Sequence, residues 1–384
     1  MTELSPVICE HQVVSGSSNS KANLQVPFVT GLRGLVCLYV VAHHAWLQVF
    51  PVFTDSVVIG PVYQLTAWLL YGRFGVDIFI VLSGFCLALP VMRNGTRMAQ
   101  TSLSFFRHRV VRIVPPYYVA ILISVLLATT LIGSKIGTHY DCCLPVRRLG
   151  IVYEMAMIPE LYATPATANH ALWSIGVEFK IYFLFPLLVF FWSKFGKLKV
   201  AVTTLVLGLL ASLALANNPW VGLTPHFLGL FTLGMLAADA VVSKTKYLAS
   251  ASLIATGIVS SITLFLMAQR LGTSLFPYYP YLDTLVGVIA ASSIVLISRQ
   301  PNGPVGRILS APWLCWVGTV SYSLYLIHAP FLQLFSKYVA KPMHLSLVAE
   351  LFFTLTLGVL LVFLCSNFFF FLFEQPFLKK RTYL

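Results

Sequence analysis

Residues 31–46 read GLRGLVCLYVVAHHAW and lie inside an apolar segment, 28–50, that is long enough to cross a lipid bilayer as a helix. The segment nevertheless carries Arg33, His43 and His44. An ionisable side chain at bilayer depth costs roughly 2.5–3.5 kcal/mol on insertion scales, so it is a functional candidate by default. The stretch therefore predicts a membrane helix that also carries chemistry.

The composition of the whole chain indicates the same class of protein. Of its 384 residues, 58% are hydrophobic and 10% are charged, whereas a soluble domain has about 25% charged residues. Lysine and arginine number 25 against 12 aspartates and glutamates. Most of these basic residues flank apolar segments, as in cytoplasmic membrane loops. That distribution disfavours a soluble protein or a nucleic-acid binder.

Apolar segments of bilayer length recur along the chain, and we predict an all-α, polytopic membrane protein with about ten transmembrane helices. The polar residues 1–26 predict a disordered cytoplasmic tail, and residues 27–380 predict one transmembrane domain. No cleavable signal peptide is expected. The predicted spans are 28–50, 72–92, 110–132, 171–193, 199–217, 225–243, 247–269, 280–298, 312–336 and 345–373.

The placement of basic residues predicts the orientation, because cytoplasmic loops are enriched in lysine and arginine. With a cytoplasmic N-terminus, fifteen basic residues fall in inner loops and six in outer loops, which favours ten spans and two cytoplasmic termini. The inner set is Arg93, Arg97, Arg107, Arg109, Arg112, Lys194, Lys197, Lys199, Lys244, Lys246, Arg299, Arg307, Lys379, Lys380 and Arg381. The outer set is Lys135, Arg147, Arg148, Arg270, Lys337 and Lys341.

The first predicted helix carries an arginine near its start and two histidines further along. Arg33 and His44 are eleven positions apart, which places them near one helix face and about 16 Å apart along the axis. His43 points about 100° away from His44. The alternative is structural: Arg33 extends to the inner interface and the histidines pack between helices.

Four ionisable residues within the spans fall toward the predicted outer half of the membrane: His44, Asp77, Glu178 and His328. A carboxylate beside an imidazole can orient a general base and stabilise its cationic form. The alternatives are a packing role for His328 and a structural ion pair for each carboxylate. The basic partners in such pairs would be Arg73 and Lys180.

A basic run at the predicted inner face has a different character. Arg109 and Arg112 are three positions apart, so they are neighbours on one helix face. Two guanidinium groups at a membrane entrance suit phosphate groups. Attraction to anionic lipid headgroups explains the same spacing and is the alternative.

The seven cysteines are scattered along the chain, and two of them, Cys142 and Cys143, are adjacent in a predicted loop. Their spacing is typical of neither a zinc site nor a disulfide framework. We therefore expect no metal.

Six motifs in a fixed order resemble the acyltransferase 3 family of multi-span membrane O-acyltransferases, which act on surface sugars, antibiotics and other hydroxyl compounds. The resemblance extends from about residue 26 to residue 380. The motifs are GLRGL followed by His44, GVDIFIVLSGF with Asp77, RVVRIVPPYY with Arg109 and Arg112, WSIGVEFKIYFLFP with Glu178, SYSLYLIHAP with His328, and FEQPF with Glu374.

The resemblance implies acetyl-CoA or another acyl-CoA as the donor, with Arg109 and Arg112, and Arg33 beside them, holding its phosphates at the inner face. The acceptor would be a hydroxyl of a glycan, a glycolipid or a small metabolite. The expected setting is the plasma membrane, in contact with its lipids, and no nucleic acid is expected as a partner.

The resemblance also implies roles for the residues in the spans. His44 would be the catalytic base or a transient acyl carrier. Glu178 or Asp77 would orient it, and His328 would assist or line the acceptor path. Many family members carry a second glutamate where this chain has Phe179, so no role of that residue is transferred.

Some members of the family also carry an extracellular hydrolase-like domain, and its absence here predicts no second acyl-handling step. Two other functions remain open. Membrane histidines and carboxylates also form proton relays, which would fit a proton-coupled transporter or exporter of a small molecule or glycan. The second open function is that of a non-catalytic family member that binds a lipid or glycan.

Overall fold

The computed structural model describes residues 27–50, 61–161, 167–215, 223–243, 256–263 and 278–379, and every regular element in these residues is helical. The predicted all-α class is thereby confirmed. Nine long helices are labelled here in chain order: α1 Pro27–Val49, α2 Arg73–Arg93, α3 Ser102–Leu127, α4 Trp173–Phe195, α5 Lys197–Leu215, α6 Phe227–Ser243, α7 Tyr279–Arg299, α8 Pro312–Phe335 and α9 Leu347–Leu378.

Each of these helices coincides with a predicted span. Seven of the described helices are long and apolar enough to cross a membrane, whereas α6 has 17 residues and α8 is not among the seven. The predicted span 247–269 lies outside the described residues except for 256–263, which is helical. The protein is therefore a polytopic all-α membrane protein, and the count of ten stays a prediction. The predicted tail, 1–26, also lies outside the described residues.

Helices α1 and α8 pack closely because glycines lie where the two backbones meet. A Cβ atom on Gly318 would overlap the carbonyl oxygen of Thr30, and one on Gly34 would overlap that of Leu314. Small residues commonly allow such close approach between membrane helices. This packing brings α1 and α8 close enough for His44 of α1 to meet His328 of α8 further along the helices.

A second glycine contact joins α2 to α6. A Cβ atom on Gly84 would overlap the carbonyl oxygen of Phe231, and one on Gly234 would overlap that of Val81. Each helix therefore contributes one glycine to the contact. Helix α2 of this pair lines the central cavity described below.

The segment between α3 and α4, called here the connecting loop, is described at residues 133–161 and 167–169, and these residues fold back onto α8. Glu154 accepts hydrogen bonds from the backbone N–H groups of Ala168 and Asn169, at 3.0 and 2.9 Å. The Asn169 side chain donates to the carbonyl of Leu326, at 2.9 Å. Burial raises the pKa of Glu154 to about 7, against the opposite effect of the two N–H donors. These bonds hold the loop against one end of the bundle.

Short helices join the long ones at several points. They are Pro61–Thr66, Ala67–Tyr71, His139–Cys143, Arg148–Met155, Pro159–Leu161, His170–Leu172, Pro304–Leu309, Ser336–Ala340 and Lys341–Met343.

Candidate active site

His44 and His328 form a hydrogen-bonded pair between α1 and α8. The His328 Nε2 atom lies 3.1 Å from His44 Nδ1, and His328 Nδ1 lies 2.8 Å from the carbonyl oxygen of Tyr325. A carbonyl can only accept, so neutral His328 carries its proton on Nδ1 and offers a lone pair at Nε2. His44 Nδ1 faces that lone pair and also the Val40 carbonyl, at 3.0 Å. It therefore carries the proton, and His44 Nε2 is left as the basic nitrogen.

His43 faces a different part of the molecule, as the helical geometry predicts. Its Nδ1 atom lies 2.6 Å from the carbonyl oxygen of Leu69, in the short helix before α2. A Cβ atom on Gly72 would overlap the His43 ring, so the backbone before α2 packs directly on this imidazole. The rings of His43 and His44 touch edge to face at 4.7 Å, but their hydrogen-bond partners are separate.

The connecting loop and the short helix His170–Leu172 bring two more imidazoles to His44. The ring centroid of His170 lies 5.0 Å from that of His44, and the centroid of His139 lies 6.3 Å from it. We call this cluster of His44, His139, His170 and His328 the histidine end of the site. Sequence reasoning did not include His139 or His170, because both lie outside the apolar core of the predicted spans.

Cys142 completes a further group at the histidine end. Ligand atoms of His139, Cys142 and His170 all lie within 4.8 Å of one another. The pKa of the Cys142 thiol is lowered because Cys143 donates a hydrogen bond to it and His170 lies beside it. Burial lowers the pKa of His139 to about 4. The only sequence signal for this group is the His-x-x-Cys spacing of 139–142, which the cysteine pattern alone did not reveal.

The three predicted phosphate-binding arginines line one cavity of about 290 Å³ near the other end of α1. Arg33, Arg109 and Arg112 contribute from α1 and α3. The Arg109 guanidinium lies 5.4 Å from the centroid of the Tyr182 ring, a cation–π contact that fixes its direction. We call this cavity the arginine end of the site.

Glu178 lies in the same cavity, one helical turn before Tyr182 on α4. It accepts a hydrogen bond from the Tyr182 hydroxyl, which also lies 2.9 Å from Ser83 Oγ on α2. Among the described residues no contact joins Glu178 to His44. Three cationic side chains and one carboxylate in a confined space favour an anionic ligand.

Tyr325 and Ser174 lie where the cavity approaches the histidine end. Their hydroxyl oxygens are 2.6 Å apart, and both side chains line the cavity. Tyr325 is three residues before His328 on α8, and the two rings are 5.5 Å apart. This hydrogen-bonded pair therefore lies between residues of the arginine cavity and the His44–His328 pair.

Asp77 is fully buried on α2 and faces Asp283 and Arg73. Asp283 makes the ion pair with Arg73, at 3.1 Å, and a hydrogen bond with Nε2 of His226, at 2.9 Å. The Arg73 ion pair, a structural alternative for Asp77, is thus made with Asp283 instead. In the described part of the chain, Asp77 has no recorded contact with His44.

Lys180 was the alternative ion-pair partner for Glu178, and it faces elsewhere. It pairs with Glu160 of the connecting loop and donates to the Met157 carbonyl at 3.1 Å. Neither carboxylate that the sequence offered for orienting His44 is seen to do so. The carbonyl of Val40 and the ring of His328 take that place.

Comparison with known proteins assigns a family to this architecture. The profile of the acyltransferase 3 family, described as an acyltransferase domain, matches residues 26–370. The chain therefore belongs to this family of membrane acyltransferase domains. The expectation drawn from the six motifs is confirmed.

Curated relatives show the same likeness at low identity. The chain is 25% identical over 342 residues to peptidoglycan O-acetyltransferase OatA of Listeria monocytogenes, covering 80% of this chain and 50% of that protein. It is 26% identical over 306 residues to O-acetyltransferase OatA of Staphylococcus aureus, covering 73% and 49%. It is 23% identical over 339 residues to the Bacillus subtilis protein named putative peptidoglycan O-acetyltransferase YrhL, covering 80% and 49%.

The chain thus spans about half the length of the curated relatives it matches. No solved structure matches it significantly.

Proposed function

We propose that this protein is a membrane O-acyltransferase that moves an acyl group, most simply acetyl, from cytosolic acyl-CoA to a hydroxyl of a carbohydrate on the other side of the membrane. One relationship carries the proposal. Arg33 and His44 lie on one helix, about 16 Å apart along its axis, with an arginine-lined cavity at one and an imidazole cluster at the other.

The arginine end suits the donor. Three guanidinium groups can bind phosphates through charge-assisted, forked hydrogen bonds. The cavity of about 290 Å³ is just below the usual range for ligand pockets, roughly 300–1,000 Å³. It is therefore too small for a whole acyl-CoA molecule, and in this proposal it takes the acyl-pantetheine arm alone while the nucleotide phosphates stay at its mouth near Arg109 and Arg112. In this arrangement Glu178 fixes Tyr182, and Tyr182 in turn directs Arg109.

The histidine end suits the acceptor. His44 Nε2 takes the proton of the acceptor hydroxyl as the hydroxyl oxygen attacks the thioester carbonyl. The carbon–sulfur bond breaks, the CoA thiolate leaves, and the proton passes from His44 to that thiolate. His328 Nε2 accepts from His44 Nδ1–H throughout and so stabilises the imidazolium that forms. Asp77 lies in a buried group with Arg73 on α2 and Asp283 on α7, and we assign it no step in the transfer.

The relatives and the distribution of charge support the proposed acceptor and location. Two of the three relatives described are named for peptidoglycan, so a surface glycan is the proposed acceptor class. The bias of basic residues toward predicted inner loops supports cytoplasmic termini and a plasma-membrane setting. With that orientation, the arginine end faces the cytosol and the histidine end faces outward.

The test is acyl transfer by the purified protein. The full chain, in detergent or liposomes, is supplied with isotopically labelled acetyl-CoA and a panel of soluble glycan fragments, and products are analysed by mass spectrometry. We expect a product that is heavier by one acetyl group and forms only with acetyl-CoA. The His44→Ala variant serves as the matched blank. Uptake of a solute without any acylated product would instead favour the transporter.

A further inference from the structure

The group formed by His139, Cys142 and His170 has the geometry of a metal site. Its three ligand atoms lie within 4.8 Å of one another. In a tetrahedral zinc site, bond lengths of about 2.0–2.3 Å place neighbouring ligand atoms about 3.4–3.6 Å apart. Small side-chain rotations therefore suffice to close the three residues around one ion.

The ligand types point to zinc. One cysteine sulfur and two imidazole nitrogens are a borderline-soft set that zinc binds well and that magnesium and calcium do not favour. All three side chains are partly accessible, so an ion can enter from the histidine end. Three protein ligands leave a fourth position for water or substrate, as in catalytic zinc sites.

Neighbouring groups hold the ligands in place, as residues hydrogen-bonded to the ligands do in known metal sites. Cys143 Sγ lies 3.5 Å from His170 Nδ1. The other ring nitrogen of His170, Nε2, is buried and has no hydrogen-bond partner among the described residues. The Tyr140 hydroxyl donates to the Ala168 carbonyl at 2.6 Å and ties the two ligand-bearing segments together.

We propose that His139, Cys142 and His170 bind one zinc ion at the histidine end. The ring of His170 lies 5.0 Å from that of His44, so the fourth position lies beside the proposed base. This reading of the fourth position rests on the proposed function, because it places an acceptor hydroxyl where zinc can lower its pKa and His44 can remove its proton. Zinc binding itself does not depend on that role.

Zinc content tests the proposal directly. The full chain is purified in detergent through an affinity tag free of histidine and cysteine, and bound metal is measured by inductively coupled plasma mass spectrometry after exposure to zinc and removal of excess. We expect one equivalent per chain. Cys142→Ser and His170→Ala are each expected to lower the zinc content to that of the buffer blank.

The matched controls make the same types of substitution, Cys to Ser and His to Ala, at residues outside the proposed zinc site. Cys365→Ser and His108→Ala, on α9 and α3, are expected to keep one equivalent. Cys143→Ser is also expected to keep the ion. Cys142→His retains a ligand atom and guards against loss of folding as the explanation. It is expected to keep the metal but to lack the thiolate-to-cobalt charge-transfer band that we expect of the wild-type protein loaded with Co²⁺.

Three results would overturn the site: wild-type protein without stoichiometric zinc, Cys142→Ser with full zinc, or loss of the ion in Cys143→Ser but not in Cys142→Ser. Since no acyl donor is present, failure here leaves the proposed acyl transfer untouched. Conversely, a stoichiometric zinc ion in a protein without acyl transfer would leave the site standing.

Discussion

The Nε2 atom of His328 lies 3.1 Å from Nδ1 of His44, although 284 residues separate the two histidines in the chain. The Nδ1 atom of each ring also faces a backbone carbonyl. That carbonyl belongs to Tyr325 for His328 and to Val40 for His44. The arrangement resembles the carboxylate–imidazole pair of hydrolases in its effect, with a neutral imidazole and a carbonyl replacing the carboxylate.

The two adjacent histidines are expected to differ in mutational sensitivity. His44→Ala should lower turnover roughly 10²–10⁴-fold, the usual contribution of a general base. His43→Ala should keep substantial activity, because His43 faces Leu69 and the backbone before α2. Turnover is measured with purified variants, normalised to folded protein. Near-normal turnover in His44→Ala, or greater sensitivity at His43, would refute the assignment of the base.

His328 is expected to act as a positioning residue. His328→Ala removes the acceptor for His44 Nδ1–H, and a hydrogen bond to a charged group contributes about 1.5–3 kcal/mol. We therefore expect kcat to fall about tenfold to a hundredfold, with the KM for acyl-CoA unchanged. His328→Gln, which keeps an acceptor oxygen, should recover part of the loss. A purely structural role would instead lower the amount of folded protein and give no rescue by Gln.

The arginine end is expected to control donor affinity. Arg109→Ala and Arg112→Ala should each weaken acyl-CoA binding by about tenfold or more, the effect of losing one charge-assisted contact. Arg107→Ala is the matched control, because Arg107 lies on the same helix, is exposed and does not line the cavity. Affinity is measured by calorimetry or by competition with a fluorescent CoA analogue. Equal affinity in all three variants would favour the lipid-headgroup alternative.

Close packing of α1 on α8 is expected to be essential for the histidine pair. Gly318→Leu places a side chain against the Thr30 carbonyl, and overpacking costs about 1–3 kcal/mol. It should lower the thermal unfolding temperature and impair turnover. Gly257→Leu is the control, since nothing lies within 4 Å of a Cβ atom there. Equal unfolding temperatures for both variants would contradict this prediction, because they would show that α1 and α8 can move apart without loss of stability.

Orientation is tested by labelling single cysteines in a cysteine-free background with a membrane-impermeant maleimide. Both Lys199 and Lys135 are exposed, and the bias of basic residues places them on opposite sides of the membrane. Lys135→Cys should react in intact cells, and Lys199→Cys should react only after permeabilisation. Labelling of Lys199→Cys from outside would invert the proposed orientation.

Hydropathy and spacing predict much of this architecture. The first span, predicted at 28–50, is observed at Pro27–Val49, because a run of apolar residues is a strong local signal. Helical periodicity also separates His43 from His44 correctly, since their directions depend only on local geometry. The gathering of Arg33 with Arg109 and Arg112 follows from their predicted depth, although the depth alone does not require one shared cavity.

Long-range contacts through loops could not be predicted in this way. His139, Cys142 and His170 meet because the connecting loop folds back onto α8, and no periodicity in the sequence encodes that return. Glu178 was expected to orient His44, yet it accepts a hydrogen bond from Tyr182 and lines the arginine cavity. A carboxylate's position along the chain indicates its depth but not its direction around the helix.

The hydrogen bond between Tyr325 and Ser174 has a consequence for the cell's energy supply. A continuous water-filled path between the arginine cavity and the histidine cluster would conduct protons and small ions down their gradients. The hydroxyl groups of Tyr325 and Ser174 are 2.6 Å apart and line the cavity where it approaches the histidine cluster, so they lie where such a path would run. If acyl transfer crosses the membrane as proposed, this contact would have to open for the acyl group and close again behind it, so the same two side chains would govern both group transfer and the leak of ions.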